Sequence, residues 1–182
     1  MRKDLGKKSW VFPMPVLILG TYDENGVPDA MNAAWGGMYD FGKITVSLSE
    51  HKTTANFMKK KALTISFATK DTIGASDYVG IVSAKDVPNK VEKAGLHAVK
   101  SKHVDAPIFE EFPITLECSV DSFEDGTLVA SIVNVSADEA VLDGDKVNFE
   151  KAGFVAFDPA NGKYRLVGDV VADAFKVGFK LK

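Results

Sequence analysis

The feature that most constrains this chain is a rhythm of short alternating apolar runs, each closed within a few residues by a turn signal. Residues 16–22 read as a strand, and Asn25-Gly26 reads as a hairpin turn because Asn-Gly accepts the positive φ such turns require. Residues 27–35 then return, with Pro28 near the start, where a missing N–H costs least. Runs at 43–48, 62–68 and 114–120 repeat the alternation, and Glu124-Asp125-Gly126 turns the last of them back along 127–135. Shorter strands are expected at 141–142, 147–149, 153–157 and 164–167, the last reached through Asn161-Gly162. Many short antiparallel strands with few helical stretches predict a mainly β fold, a β-barrel with helical insertions.

Three stretches break the rhythm. Residues 49–61 suit a helix capped by Ser49 or Thr53, with Lys59, Lys60 and Lys61 at the negative end of its dipole. Residues 70–104 read as short helices and loops inserted in the barrel, with Asp71, Asp86 and Asn89 as caps, and 172–181 as a closing helix. With no repeat or linker, residues 1–182 are expected to form one domain, long enough to bury about 70% of its extended surface. The single cysteine, Cys118, excludes an internal disulfide and falls mid-strand, as a core thiol does.

Net charge is only −3, but it is unevenly spread: residues 43–103 hold eleven lysines against five acids, and 105–150 hold twelve acids against Lys146. The middle of the chain therefore favours an anion, while the acidic stretch disfavours nucleic acid and anionic membranes. The basic N-terminus is followed by an apolar run broken by Pro13 and Pro15, so neither a secretory signal nor a spanning helix is expected, and a cytoplasmic location is.

Motifs of several catalytic classes are missing. No G-x-G-x-x-G follows a strand, and neither a P-loop nor a G-x-S-x-G elbow occurs. His51, His97 and His103 lack metal-ligand spacing. What remains is Ser47-Leu48-Ser49-Glu50-His51-Lys52-Thr53-Thr54, running from a strand end into a helix start. Free N–H groups, hydroxyls and a lysine there make a phosphate cradle; the same residues also describe a well-capped helix.

An ordered set of short stretches carries a resemblance. Asn32-Ala33-Ala34-Trp35 comes first, then Ser47-Leu48-Ser49 with His51-Lys52-Thr53 and Asn56. Asp77-Tyr78-Val79-Gly80-Ile81-Val82-Ser83 with Lys90 follows, then Leu116-Glu117-Cys118, Tyr164-Arg165-Leu166-Val167-Gly168 and Ala174-Phe175. Spanning roughly residues 10–180, the set resembles the flavin reductase-like family with the FMN-binding split-barrel fold, of antiparallel Greek-key type, and within it the flavoredoxins.

The resemblance implies bound FMN and a homodimer with the flavin near the subunit interface. Asn32, Ala33, Ala34 and Trp35 fall where the family lines the isoalloxazine, and Ser47, Leu48 and Ser49 beside the flavin and its ribityl chain. Lys52, Thr53 and the helix start, which carries Asn56, fall at the phosphate; Asp77, Gly80, Ser83 and Lys90 fall on the loop that closes over the cofactor. Ala84 and Asn89 depart from the glycine and aspartate of the family pattern. No side chain is needed as a catalytic nucleophile or base, because the flavin carries the chemistry. NADH or NADPH is the expected co-substrate, passing hydride to flavin N5, with electrons going on to an acceptor. The alternatives are an electron carrier reduced by a partner redox protein and a non-catalytic module holding flavin or another phosphate ligand.

Overall fold

The computed structural model describes residues 1–181. Its strands are β1 (Met14–Pro15), β2 (Leu17–Tyr22), β3 (Pro28–Ala33), β4 (Gly36–Asp40), β5 (Lys43–Ser47), β6 (Ala62–Phe67), β7 (Ala98–Lys100) and β8 (Pro107–Phe109). They continue as β9 (Ile114–Glu124), β10 (Thr127–Ala137), β11 (Leu142–Asp143), β12 (Lys146–Val147), β13 (Val155–Asp158) and β14 (Lys163–Leu166). The helices are α1 (Lys52–Lys60), α2 (Ile73–Ile81), α3 (Lys90–Lys93) and α4 (Phe149–Ala152).

Seven strands make one curled antiparallel sheet in the order β3-β2-β6-β9-β10-β5-β4, the half-barrel of the split-barrel fold. A second sheet, β1-β13-β14, stands beside it. The period-2 alternation sends Leu17, Leu19, Met31, Ala33, Ile65, Leu116 and Cys118 to the inner face, where Phe57 of α1 closes the main core. On the opposite face, Ile18 and Ala30 pack with Val79 of α2, Phe109 and Phe112. Strand β3 is thus covered on both sides, and that brings α2 next to Asn32.

Several expectations are corrected. The 27–35 strand ends at Ala33, and β4, hidden in the sequence by Gly36-Gly37, forms the sheet edge with Met38 and Tyr39 exposed. Helix α1 is capped by His51 rather than Ser49 or Thr53: Thr54 Oγ1 accepts from the His51 N–H (2.8 Å) and donates to the His51 carbonyl (2.7 Å), while the Thr53 hydroxyl is engaged elsewhere. Thr72, not Asp71, precedes α2; Asp86 caps no helix, and Asn89 sits at the start of α3 without a capping hydrogen bond. Residues 147–149 split between β12 and α4, because the Asn148 side chain accepts from the Lys151 N–H and starts a helix. The closing helix is reduced to a single 3₁₀ stretch, Val177–Leu181.

Candidate functional site

The site is built where β5 ends. Trp35 O accepts from the Ser47 N–H (2.7 Å), and the Leu48 N–H donates to Gly126 O (2.7 Å) across from the β9–β10 hairpin. Gly126 has φ +75°, and a Cβ there would lie 2.8 Å from Leu48 O, so this approach requires glycine. The pinned segment then runs through Ser49 and Glu50 into α1.

Two adjoining clefts open over this segment. The larger, about 450 Å³, is lined by residues that include Asn32, Ala33, Ala34, Trp35, Ser47, Leu48, Ser49, Asp77 and Gly80. The smaller, about 290 Å³, takes in Lys52, Thr53, Ser83 and Lys90, and shares Met31, Asn32, His51, Gly80 and Ile81 with the first. The structure thus gathers the residues singled out in sequence around one bipartite groove, except Asn56. Asn56 is buried on the other side of α1, where its amide donates to Thr21 Oγ1 (3.2 Å) and ties the helix to β2.

Trp35 is 58% exposed, so it belongs to the cleft wall rather than the core. Phe157 and Tyr164 from the β13–β14 hairpin face the same cleft, their rings 6.0 Å apart. The Tyr164 hydroxyl donates to Asp77 Oδ1 (2.6 Å), joining the hairpin to α2. Burial and then the Asp77 carboxylate push the phenol up to about 12, so it stays protonated at neutral pH. Helix α2 lies close against β3: a Cβ on Gly80 would meet Asn32 Cβ at 2.8 Å, and Asn32 Nδ2 donates to Ser76 O (3.0 Å).

The smaller cleft has a buried ionic floor. Asp29 and Lys90 are 1% and 4% exposed, with Asp29 Oδ1 3.3 Å from Lys90 Nζ. Asp29 Oδ2 accepts from the Thr53 hydroxyl (2.7 Å), and Lys90 Nζ also donates to the carbonyls of Val82 (3.0 Å) and Val79 (3.3 Å). One carboxylate therefore clamps β3, the first turn of α1 and the 79–90 loop together. Oδ1, buried, meets Lys90 as an ion pair but receives no hydrogen bond, so it keeps an open acceptor. Lys52 is less committed, with Nζ 3.4 Å from Asp23 Oδ2.

Asp29, His51, Phe157 and Tyr164 went unselected in sequence. Asp29 follows a proline in an apolar strand and shows its value only through Thr53 and Lys90, 24 and 61 residues away. Tyr164 stood among the stretches carrying the resemblance, yet its partner Asp77 lies 87 residues distant.

A curled antiparallel half-barrel whose open groove joins aromatic walls to a lysine-bearing helix start defines the class of flavin-binding split-barrel proteins. Residues 9–154 match the family described as flavin reductase like domain, and the chain belongs to that family. It is similar to the structure titled flavoredoxin of Desulfovibrio vulgaris (Miyazaki F), with 33% identity and a TM-score of 0.93 over 98% of this chain and 100% of that one. The structure titled flavoredoxin from Methanosarcina acetivorans shares 20% identity and a TM-score of 0.90 over 100% of both chains. An FMN-binding domain of a flavin reductases-like enzyme from Shewanella baltica aligns at 21% identity and a TM-score of 0.78, over 87% of this chain and 88% of that one. No curated protein matches the chain in sequence. The family and these structures support a flavin-binding redox function.

Proposed function

We propose that this protein holds FMN in the bipartite groove, is reduced by NADH or NADPH, and passes electrons to an acceptor. The observation that carries this is the pairing of an aromatic-walled slot with a helix start bearing Lys52. The residues fit the group. Trp35, Phe157 and Tyr164 offer ring faces to a planar heterocycle. The open acceptor on buried Asp29 Oδ1 suits a hydroxyl of a polyol chain. Lys52 and the free N–H groups of the first α1 turn suit a phosphate dianion.

When bound, FMN supplies the hydride acceptance and electron release that the protein's own side chains lack. The chain positions and tunes. Asp29 and Lys90 fix the distance between the first turn of α1 and the 79–90 loop, and Gly80 lets α2 close down on Asn32. The Tyr164–Asp77 bond holds the hairpin over the larger cleft, and the raised pKa of Tyr164 keeps that bond intact through neutral pH. In this reading Thr53 and Lys90 act through Asp29, and Asn56 by anchoring α1. The 182 residues function as one cytoplasmic domain paired as a homodimer, with Trp35 and the exposed edge of β4 beside the groove.

The test is spectroscopic. Purified protein mixed with FMN is expected to quench its emission stoichiometrically, and the anaerobic complex to bleach with NADH or NADPH. Failure to quench rejects the site; quenching without bleaching or turnover leaves a binding module. A second reading, an electron carrier reduced by a partner protein, is favoured by the asymmetric charge and by the flavoredoxin-titled structures. It requires reduction by the donor protein to slow steeply with added salt.

A further inference from the structure

The two halves of the groove differ in charge. Lys52 and Lys85 line the smaller cleft against Glu50, while Asp29 balances Lys90 there. The larger cleft is lined by neither lysine nor arginine, and Asp77 is its only acid. Among the described residues no cation pairs with the Asp77 carboxylate. Its partner is the neutral Tyr164 hydroxyl, at 2.6 Å. A phenol occupies part of a carboxylate's hydrogen-bonding capacity but leaves its charge in place.

That charge is held firmly. Asp77 stands on α2, whose Ser76 and Val79 are buried and whose Ser76 carbonyl accepts from the Asn32 amide (3.0 Å). Gly80, three residues on, lets the helix come down onto Asn32. The negative end of α2 adds no rival field, because Lys90 Nζ donates to the carbonyls of Val79 and Val82 and compensates it. From the other side Tyr164 is set by the β13–β14 hairpin, with Phe157 beside it. Asp77 is thus an uncompensated carboxylate on the wall of the aromatic slot, fixed in place before any ligand arrives.

We infer that Asp77, positioned by Tyr164, makes this protein hold oxidised FMN more tightly than reduced FMN. The inference rests on the flavin reading above and gives that site its redox bias. Reduction by NADH or NADPH moves two electrons and one proton onto the isoalloxazine and releases the nicotinamide in its oxidised form. The ring is left with one more negative charge than before. An anionic ring beside an anionic wall is disfavoured, and the apolar walls around it strengthen the repulsion. The neutral oxidised ring meets no such penalty.

The experiment compares Asp77→Asn and Tyr164→Phe in the full chain loaded with FMN. Fluorescence titration gives the affinity for oxidised FMN, and anaerobic equilibration with a reference dye gives the midpoint potential of bound against free FMN. Asparagine matches aspartate in shape, and its amide oxygen still accepts from the phenol, so Asp77→Asn removes the charge and little else. It is expected to leave oxidised-FMN affinity within about threefold and to tighten reduced FMN at least about tenfold, a rise of about 30 mV for a two-electron couple. Tyr164→Phe keeps the charge and loses the O–H dipole that offsets part of it, so the potential should stay or fall. A potential unmoved by Asp77→Asn overturns the inference. So does one raised equally by Tyr164→Phe, because the pair would then act only by holding the hairpin. Loss of oxidised-FMN binding in Asp77→Asn overturns it as well, since Asp77 would be an ordinary contact. Wild-type protein that binds no FMN removes the flavin reading and the inference with it; the other failures leave that reading standing.

Discussion

Replacing Asp29 by asparagine tests whether the floor of the smaller cleft is an ion pair under load. Asp29 and Lys90 are almost completely buried, so neither charge is solvated by water once its partner is gone. Breaking a buried pair from one side costs about 3–5 kcal/mol. Lys90 keeps the carbonyls of Val79 and Val82, and the amide oxygen of the substituted side chain still accepts from Thr53, which places Asp29→Asn near the lower end, about 3 kcal/mol. Lys90→Met strands the carboxylate instead, with a comparable loss. The double variant removes both charges and should recover at least about 2 kcal/mol of the summed cost, since the pair, not each residue, carries the penalty. Thr53→Val removes one neutral donor and costs about 1–3 kcal/mol. Urea titration followed by tryptophan emission measures all four, with unchanged slopes securing the comparison. Single losses below about 1 kcal/mol, or additive behaviour in the double variant, would refute the clamp.

Three further outcomes are expected. Lys52→Ala should weaken FMN binding roughly tenfold or more by fluorescence titration, the cost of one charge-assisted phosphate contact. His97 donates to the Glu111 carboxylate, which raises its pKa above the usual histidine value; the stability this contributes is complete below about pH 6.5 and fades as pH climbs through the raised pKa. An NMR titration should show that upward displacement, and Glu111→Gln should abolish it. Cys118 is fully buried and its thiol is pushed up to about 12, by burial first and then by Glu117, so it should resist thiol reagents at pH 8 and react at once in denaturant.

The strands were legible because their signals are local. Asn25-Gly26, Asp125-Gly126 and Asn161-Gly162 each sit at a tight turn with a positive-φ glycine, and alternation places Leu17, Leu19 and Ile65 inward without knowledge of the partner strand. The segment from Ser47 to Thr53 was legible for the same reason, since strand end, helix start and lysine lie within seven residues, although the cap proved to be His51 rather than Ser49 or Thr53. What escaped was non-local. Strand β4 begins with two glycines and exposes Met38 and Tyr39, so it lacks the alternation of a half-buried strand. Asp29 gains its role from a hydroxyl on α1 and an ammonium from α3, and Tyr164 from a carboxylate on α2. The tail at 172–181 has helical composition, but it forms only the short 3₁₀ stretch Val177–Leu181, and short helices are marginal on propensity alone.

The contact between Leu48 and Gly126 ties the length of a distant hairpin to ligand recognition. Loop tips usually tolerate insertion and serve as grafting points, but this one acts as a gauge block: one residue added or removed between Glu124 and Thr127 shifts the carbonyl that seats Leu48. At the Asn161-Gly162 turn, by contrast, a Cβ on the glycine meets nothing within 4 Å, so only its φ of +58° calls for glycine there.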